Sequence, residues 1–309
     1  MATNVDLAIA LPQAFVHEPI PVAEIRKFLG RVDGLGYHSV WVVEQILGRI
    51  PSLDPVELLT YAAALTERVR LGAAVLLTPL RSPVHLAKSL STLDQLSGGR
   101  VIAGVGLGGN FGQYPAFGIS PERRVARFKE SITLLRKLWT EERVTFDGEF
   151  WKLKDAAMEP KPLQRPHPPI WFGARHPVAL RRAVQLGDGF VGAGSASTAQ
   201  FVDEVRQLGA ILKGAGRDPA TFPIGKRVYL ALDRDRARAG KRLAEWFGAF
   251  YGRPELAEQV CVWGDLDECV AGLKAVVDAG ARFLVLNPVF DELEHLERLA
   301  ADVGPRLRR

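Results

Sequence analysis

Sulfur is scarce in this chain: 309 residues carry two cysteines and two methionines. Cys261 and Cys269 fall in a segment that reads as a helix entry, and no further cysteine extends them into a disulfide framework or a zinc site. A reduced, cytoplasmic setting is expected. Histidine is sparse too. His17, His38, His85, His167, His176 and His295 show no H-x-x-H or H-E-x-x-H spacing, so no metal site is expected. No G-x-S-x-G elbow marks a serine hydrolase. Long apolar runs are missing as well: nothing approaches the ~18 residues of a membrane span. The opening MATNVDLAIALPQ lacks the basic region of a secretory signal. Single-sign charge blocks are also absent. The net charge is +5 and the pI about 9.3, but Arg and Lys mix with acids along segments such as Glu122 to Lys137. That dispersion describes a solvated basic surface and not a nucleic-acid footprint.

What is present is an average globular composition, 47% hydrophobic and 24% charged, in a chain long enough to bury most of its apolar surface unaided. A short apolar strand followed by an amphipathic helix recurs along it. Strands are expected at Val5 to Leu11, Ser39 to Val43, Val69 to Leu77, Arg100 to Gly106, Pro169 to Phe172, Gly189 to Val191, Ile224 to Leu232 and Arg282 to Leu286. Asp54-Pro55 and Ser82-Pro83 are helix starts, each a capping side chain before a first-turn proline. Strands alternating with helices imply parallel pairing, in either a closed (β/α)8 TIM barrel or an open doubly wound sheet. The number of units and the chain length favour the barrel, as one domain over 1–309. Residues 110–169 interrupt the rhythm with a Gly/Pro/aromatic loop, a helix, a hairpin signal at Asp147-Gly148 and the proline-rich PKPLQRPHPP. They read largely as an insertion after strand four that covers the barrel mouth.

Barrel chemistry gathers at the C-terminal strand ends. Strand two presents Glu44 and Gln45. Strand four ends in Gly104-Val105-Gly106-Leu107-Gly108-Gly109-Asn110, strand five in Gly173-Ala174-Arg175-His176 and strand six in Gly192-Ala193-Gly194-Ser195. The glycine run is not a Rossmann fingerprint, because Pro115 and Gly118 intervene before any helix. It serves either tight barrel packing or the approach of a flat ring to bare backbone. Arg175 stands just before a helix start, where free N–H groups favour a phosphate. Phe111, Tyr114 and Phe117 form an apolar lid or pack the insertion down. Lysine is missing from the strand ends, which disfavours a Schiff-base aldolase. Without a nucleophile or metal, the chemistry falls to a bound cofactor.

Three stretches resemble the luciferase-like monooxygenase superfamily, and its coenzyme F420-dependent branch in particular. They are LGYHSVWVVEQ from Leu35, ERVRLGAAVLLTPLRSPVHLAKSLSTLDQLSGGRVIAGVGLGG from Glu67, and MEPKPLQRPHPPIWFGARHPVALRRAVQLGDGF from Met158. CVWGDLDECVAGLKAVVDAGARFLVLNP from Cys261 looks like the family's last helix and strand. The resemblance implies a TIM barrel, a homodimer, a small-molecule substrate, and F420 or alternatively FMN at the C-terminal face. It puts a non-proline cis peptide near Ala74-Val75 and the cofactor against Gly106, Gly108, Gly109, Asn110, Gly173, Ala174, Arg175, His176, Gly194 and Ser195. Catalysis would fall to Glu44 and Gln45. Relatives carry an acid followed by histidine where this chain has Glu44-Gln45, and some carry a glutamate where it has Gly109. An amide is no general base near neutral pH, so sugar-phosphate dehydrogenation is not expected. Three alternatives stand: F420-dependent hydride transfer, FMN-dependent monooxygenation with molecular oxygen, and a catalytically silent cofactor-binding protein.

Overall fold

The computed structural model describes residues 5–16, 19–109 and 111–307. Asn110 and His17 therefore lie outside the described residues. The barrel strands are β1 Asp6–Ala10, β2 Ser39–Val42, β3 Arg70–Ala73, β4 Val101–Gly106, β5 Ile170–Phe172, β6 Gly189–Gly192, β7 Ile224–Leu232 and β8 Phe283–Asn287. Each pairs in parallel with the next, and β8 returns to β1 through Asp6 opposite Phe283 and Ile9 opposite Leu286. The ring is closed: a TIM barrel. β2 and β4 to β8 are buried along their whole length. Such strands read as continuous apolar runs because helices cover one face and the barrel interior fills the other.

The helices after the strands include α1 Val22–Val32, α2 Pro55–Leu65, α3 Pro83–Leu96, α4 Arg124–Thr140, α5 Pro177–Leu186, α6 Thr198–Gly214 and α7 Arg236–Tyr251, and a further helix, Leu266–Asp278, leads into β8. Asp54 and Ser82 accept hydrogen bonds from the first-turn amides of Val56 and His85, and proline opens both helices. The barrel interior is plugged by large rings. Trp41, Trp171 and Phe283 meet with centroids 5.1–5.6 Å apart, beside Ile102, Val191 and Val285.

Of residues 111–169, Phe111 lines the barrel mouth, whereas the hairpin and the proline-rich connector lie against outer helices. The hairpin Val144–Asp147/Lys152–Ala156 leans on α4, where Glu130 accepts the amides of Glu149, Phe150 and Trp151 at 2.9–3.0 Å. The proline-rich connector, with cis bonds before Pro160 and Pro166, runs down α3. There Asp94 accepts from the Gln164 backbone amide at 2.9 Å and its side-chain amide at 2.7 Å. The buried Asp94 and the half-buried Glu130 draw these pieces onto the outer helices. Past the expected last strand the chain continues helically over Glu292–Arg298, Leu299–Val303 and Gly304–Leu307.

Candidate functional site

A cavity of about 510 Å³ opens at the C-terminal strand ends. Of the residues expected there, Glu44, Ala74, Val75, Gly106, Gly108, Gly109, Gly173, Ala174, Arg175, His176, Gly194 and Ser195 line it. Gln45 does not. Its amide turns away, donating to the Phe250 carbonyl at 3.4 Å, while its Oε1 is buried without a partner.

One wall is the corner where β3 ends. The Ala74–Val75 peptide is cis, and Leu76–Leu77 then rejoins β4, with Leu77 opposite Gly106. The glycines opposite are dictated by this corner. A Cβ on Gly104 would stand 1.5 Å from the Ala73 carbonyl oxygen. Cβ atoms on Gly106 and Gly173 would stand 2.5 and 2.8 Å from the Val75 methyls. The run thus clears space for Val75 first. Gly109, whose Cβ would meet nothing within 4 Å, borders open cavity.

Glu44 braces the same corner. Its side chain is fully inaccessible to solvent, one oxygen accepting the Leu77 amide and the other the Arg81 guanidinium, whose Nε lies at 2.6 Å. Arg81 also reaches Asp54, the cap of α2, at 2.7 Å. Burial pushes the Glu44 carboxyl upward in pKa, against the pull of Arg81 and the Leu77 amide.

Across the mouth the lining is cationic. Arg175 donates to the Ser195 hydroxyl at 2.6 Å, and His176 caps α5. Arg182 and Arg227 are 9% and 8% exposed. Arg182 faces no carboxylate within ion-pair distance among the described residues, and its buried guanidinium is pulled down in pKa by desolvation alone. Arg227 donates to Asn287 at 2.6 Å and lies 4.9 Å over the Tyr229 ring. Beneath them Lys226, pulled down to about 7 by burial, donates to the carbonyls of Ala193 and Ala196 and so fixes the β6 loop. Unpaired guanidinium groups beside a helix start suit a phosphate or carboxylate ligand.

Arg227, Phe250 and Tyr251 also line the cavity and were not anticipated. For Arg227 a signal exists: Lys226-Arg227 is a charged pair inside IGKRVYLAL, a run that is otherwise almost wholly uncharged. Phe250 and Tyr251 sit at the end of α7, where no local pattern distinguishes a lining residue from a packed one. The aromatic cluster splits: Phe111 lines the cavity, whereas Tyr114 is fully buried, its hydroxyl donating to the Leu107 carbonyl at 3.0 Å. Both cysteines are free. Among the described residues no helix is long and apolar enough to cross a membrane, and no cluster of His, Cys, Asp or Glu forms a metal site.

The profile of the luciferase-like monooxygenase family matches residues 7–255. The chain is 31% identical to an F420-dependent glucose-6-phosphate dehydrogenase of Kineococcus radiotolerans, covering 94% of this chain and 95% of that one. It is 29% identical to the enzyme of the same name from Amycolatopsis mediterranei, over 92% and 94%. Among solved structures, an F420-dependent secondary alcohol dehydrogenase superposes with a TM-score of 0.86 over 99% of this chain and all of that one, at 19% identity. Monooxygenase RslO1 from Streptomyces bottropensis superposes at 0.84, with 26% identity over 97% and 99%.

Proposed function

The chain belongs to the luciferase-like monooxygenase family, and from that premise we propose that it is an F420-dependent oxidoreductase transferring hydride to or from a small organic substrate. The observation that carries this reading is the pairing of a glycine-cleared wall at Val75 with a wall of arginines that, among the described residues, form no carboxylate ion pair. The first has room for a flat ring, and the second complements a phosphate and an acidic tail. Arg175, Arg182 and the start of α5 would hold the phosphate, and the Ala74–Val75 corner would back the ring. When bound, the deazaflavin supplies a two-electron hydride donor or acceptor.

Glucose 6-phosphate is named for the relatives, but this site departs from a dedicated acid and base. Gln45 is turned out of the cavity and Gly109 offers no side chain. Reduction of an activated C=O or C=C is therefore placed first. FMN-dependent monooxygenation is the second reading, favoured by the likeness to RslO1, because one phosphate-binding wall also suits FMN. The family resemblance supports a homodimer, for which light scattering would return twice 33.9 kDa.

Fluorescence titration with F420 and with FMN, followed by reoxidation of reduced F420 with enones and ketones, tests the proposal. Micromolar binding of F420 and carbonyl-dependent reoxidation are the expected results. Binding of FMN alone moves the assignment to the second reading. Binding of neither removes both.

A further inference from the structure

Hydride delivered to a carbonyl carbon drives an electron pair onto the oxygen, which must then receive a proton. The cavity's protic side chains are few, and most are engaged. Glu44 is held on both oxygens by Leu77 and Arg81. Ser195 accepts from Arg175, and the exposed His176 uses its Nδ1 to accept the Val178 amide at 3.3 Å, which leaves its Nε2 on the outer rim. The arginines do not release protons in this range.

Tyr251 remains. It is the last residue of α7, stopped there by Gly252 in the left-handed region at φ 70°. This places it on the β7 side of the mouth, four strands around the ring from the Ala74–Val75 corner. Its hydroxyl lies 2.8 Å from that of Tyr229, which is wholly buried under Arg227. Burial holds the Tyr229 hydroxyl protonated far above the ordinary range, leaving it a lasting donor. Phe250 and Arg227 also border a narrow crevice lined by Gln13, beyond the end of β1, and Asn287, the last residue of β8. Tyr251 and Phe250 line the same cavity as Ala74 and Val75, so a substrate bound in it shares one space with the corner and the tyrosine.

We propose that Tyr251 is the catalytic acid of this enzyme, with Tyr229 and Arg227 as its positioning residues. The assignment rests on the oxidoreductase reading above, with reduced deazaflavin as the two-electron donor. When bound, the reduced cofactor would supply the hydride for the new C–H bond, and the C=O π pair would move to oxygen. The Tyr251 O–H bond then breaks to form the substrate O–H bond. In an enone the hydride arrives at the β-carbon, and the oxygen takes the same proton. The tyrosinate accepts a hydrogen bond from Tyr229 and is reprotonated by water, to which Tyr251 is open at 36% exposure. In the reverse direction the same group is the base.

The test compares wild type, Tyr251→Phe and Tyr229→Phe with F420 and 2-cyclohexen-1-one. Tyr251→Phe should keep F420 affinity and melting temperature. It should oxidise reduced F420 about a hundredfold more slowly, the usual scale for a lost general acid, and lose the solvent deuterium isotope effect. Its complex with oxidised F420 should also bind the enone more weakly, read by fluorescence without turnover. Tyr229→Phe should lower kcat several-fold with KM nearly unchanged. If Tyr251→Phe equals wild type in rate, isotope effect and enone affinity, the assignment fails while the oxidoreductase reading stands. If wild type binds no F420, the reading fails and takes the assignment with it.

Discussion

At Glu44, a buried carboxylate can serve as a proton donor or as a brace, and an isosteric change separates the two. Glutamine keeps an acceptor for the Leu77 amide but removes the charge opposite Arg81, which retains Asp54 at 2.7 Å. Breaking a buried ion pair outright costs ~3–5 kcal/mol. With Asp54 still in place, Glu44→Gln should cost about 1–3 kcal/mol, seen as a lower urea midpoint, while turnover stays within about tenfold of wild type. The opposite pattern, an unchanged midpoint with turnover down a hundredfold or more, would return Glu44 to the catalytic role expected from its position after strand two.

The element that decides the site is the β3–β4 corner. Gly104 lies in mid-strand, and the Ala73 carbonyl occupies the place of a Cβ at 1.5 Å. Both groups are buried backbone, so neither can move without breaking the ladder between Leu71–Gly72 and Val101–Ile102. Gly104→Ala should therefore lose several kcal/mol or fail to fold, well beyond the ~0.5–1 kcal/mol by which alanine usually improves on glycine in a strand. Gly109→Ala, facing open cavity, should melt like wild type. Equal melting temperatures for the two variants would refute the packing account. This corner was half legible. The third strand read as one run, Val69 to Leu77, because every residue from Leu71 to Leu77 is apolar or glycine. The break at Ala74-Val75 came from the family resemblance, since no propensity encodes it. The remaining strands were plain because burial makes them mostly apolar, the Lys226-Arg227 pair of β7 apart, and Asp54-Pro55 and Ser82-Pro83 announced their helices through local hydrogen bonding. The path of the hairpin was not legible. It depends on the Glu130 carboxylate finding three amides some twenty residues away, which is tertiary information. Tyr251 was hidden likewise, because a helix end reaches the cavity only when the barrel closes.

Over the whole molecule the charge is modest, +5 in 309 residues, yet three arginines that form no carboxylate ion pair among the described residues converge on one side of one cavity. Their burial determines how salt acts on them. Screening over ~10 Å at 0.1 M falls to ~3 Å at 1 M and weakens exposed pairs far more than buried ones. Arg175 is exposed, while Arg182 and Arg227 are 9% and 8% exposed. F420 affinity should thus fall only several-fold between low and high salt and then level off, with the residual affinity carried by the buried arginines. Arg175→Ala should remove the salt-dependent part. Arg182→Gln should weaken binding at every salt concentration. The deazaflavin chromophore lacking phosphate and glutamates should bind weakly and without salt dependence to all three proteins. If Arg175→Ala and Arg182→Gln both leave F420 affinity unchanged, the cationic wall does not hold the cofactor, and the phosphate must lie elsewhere along the strand ends.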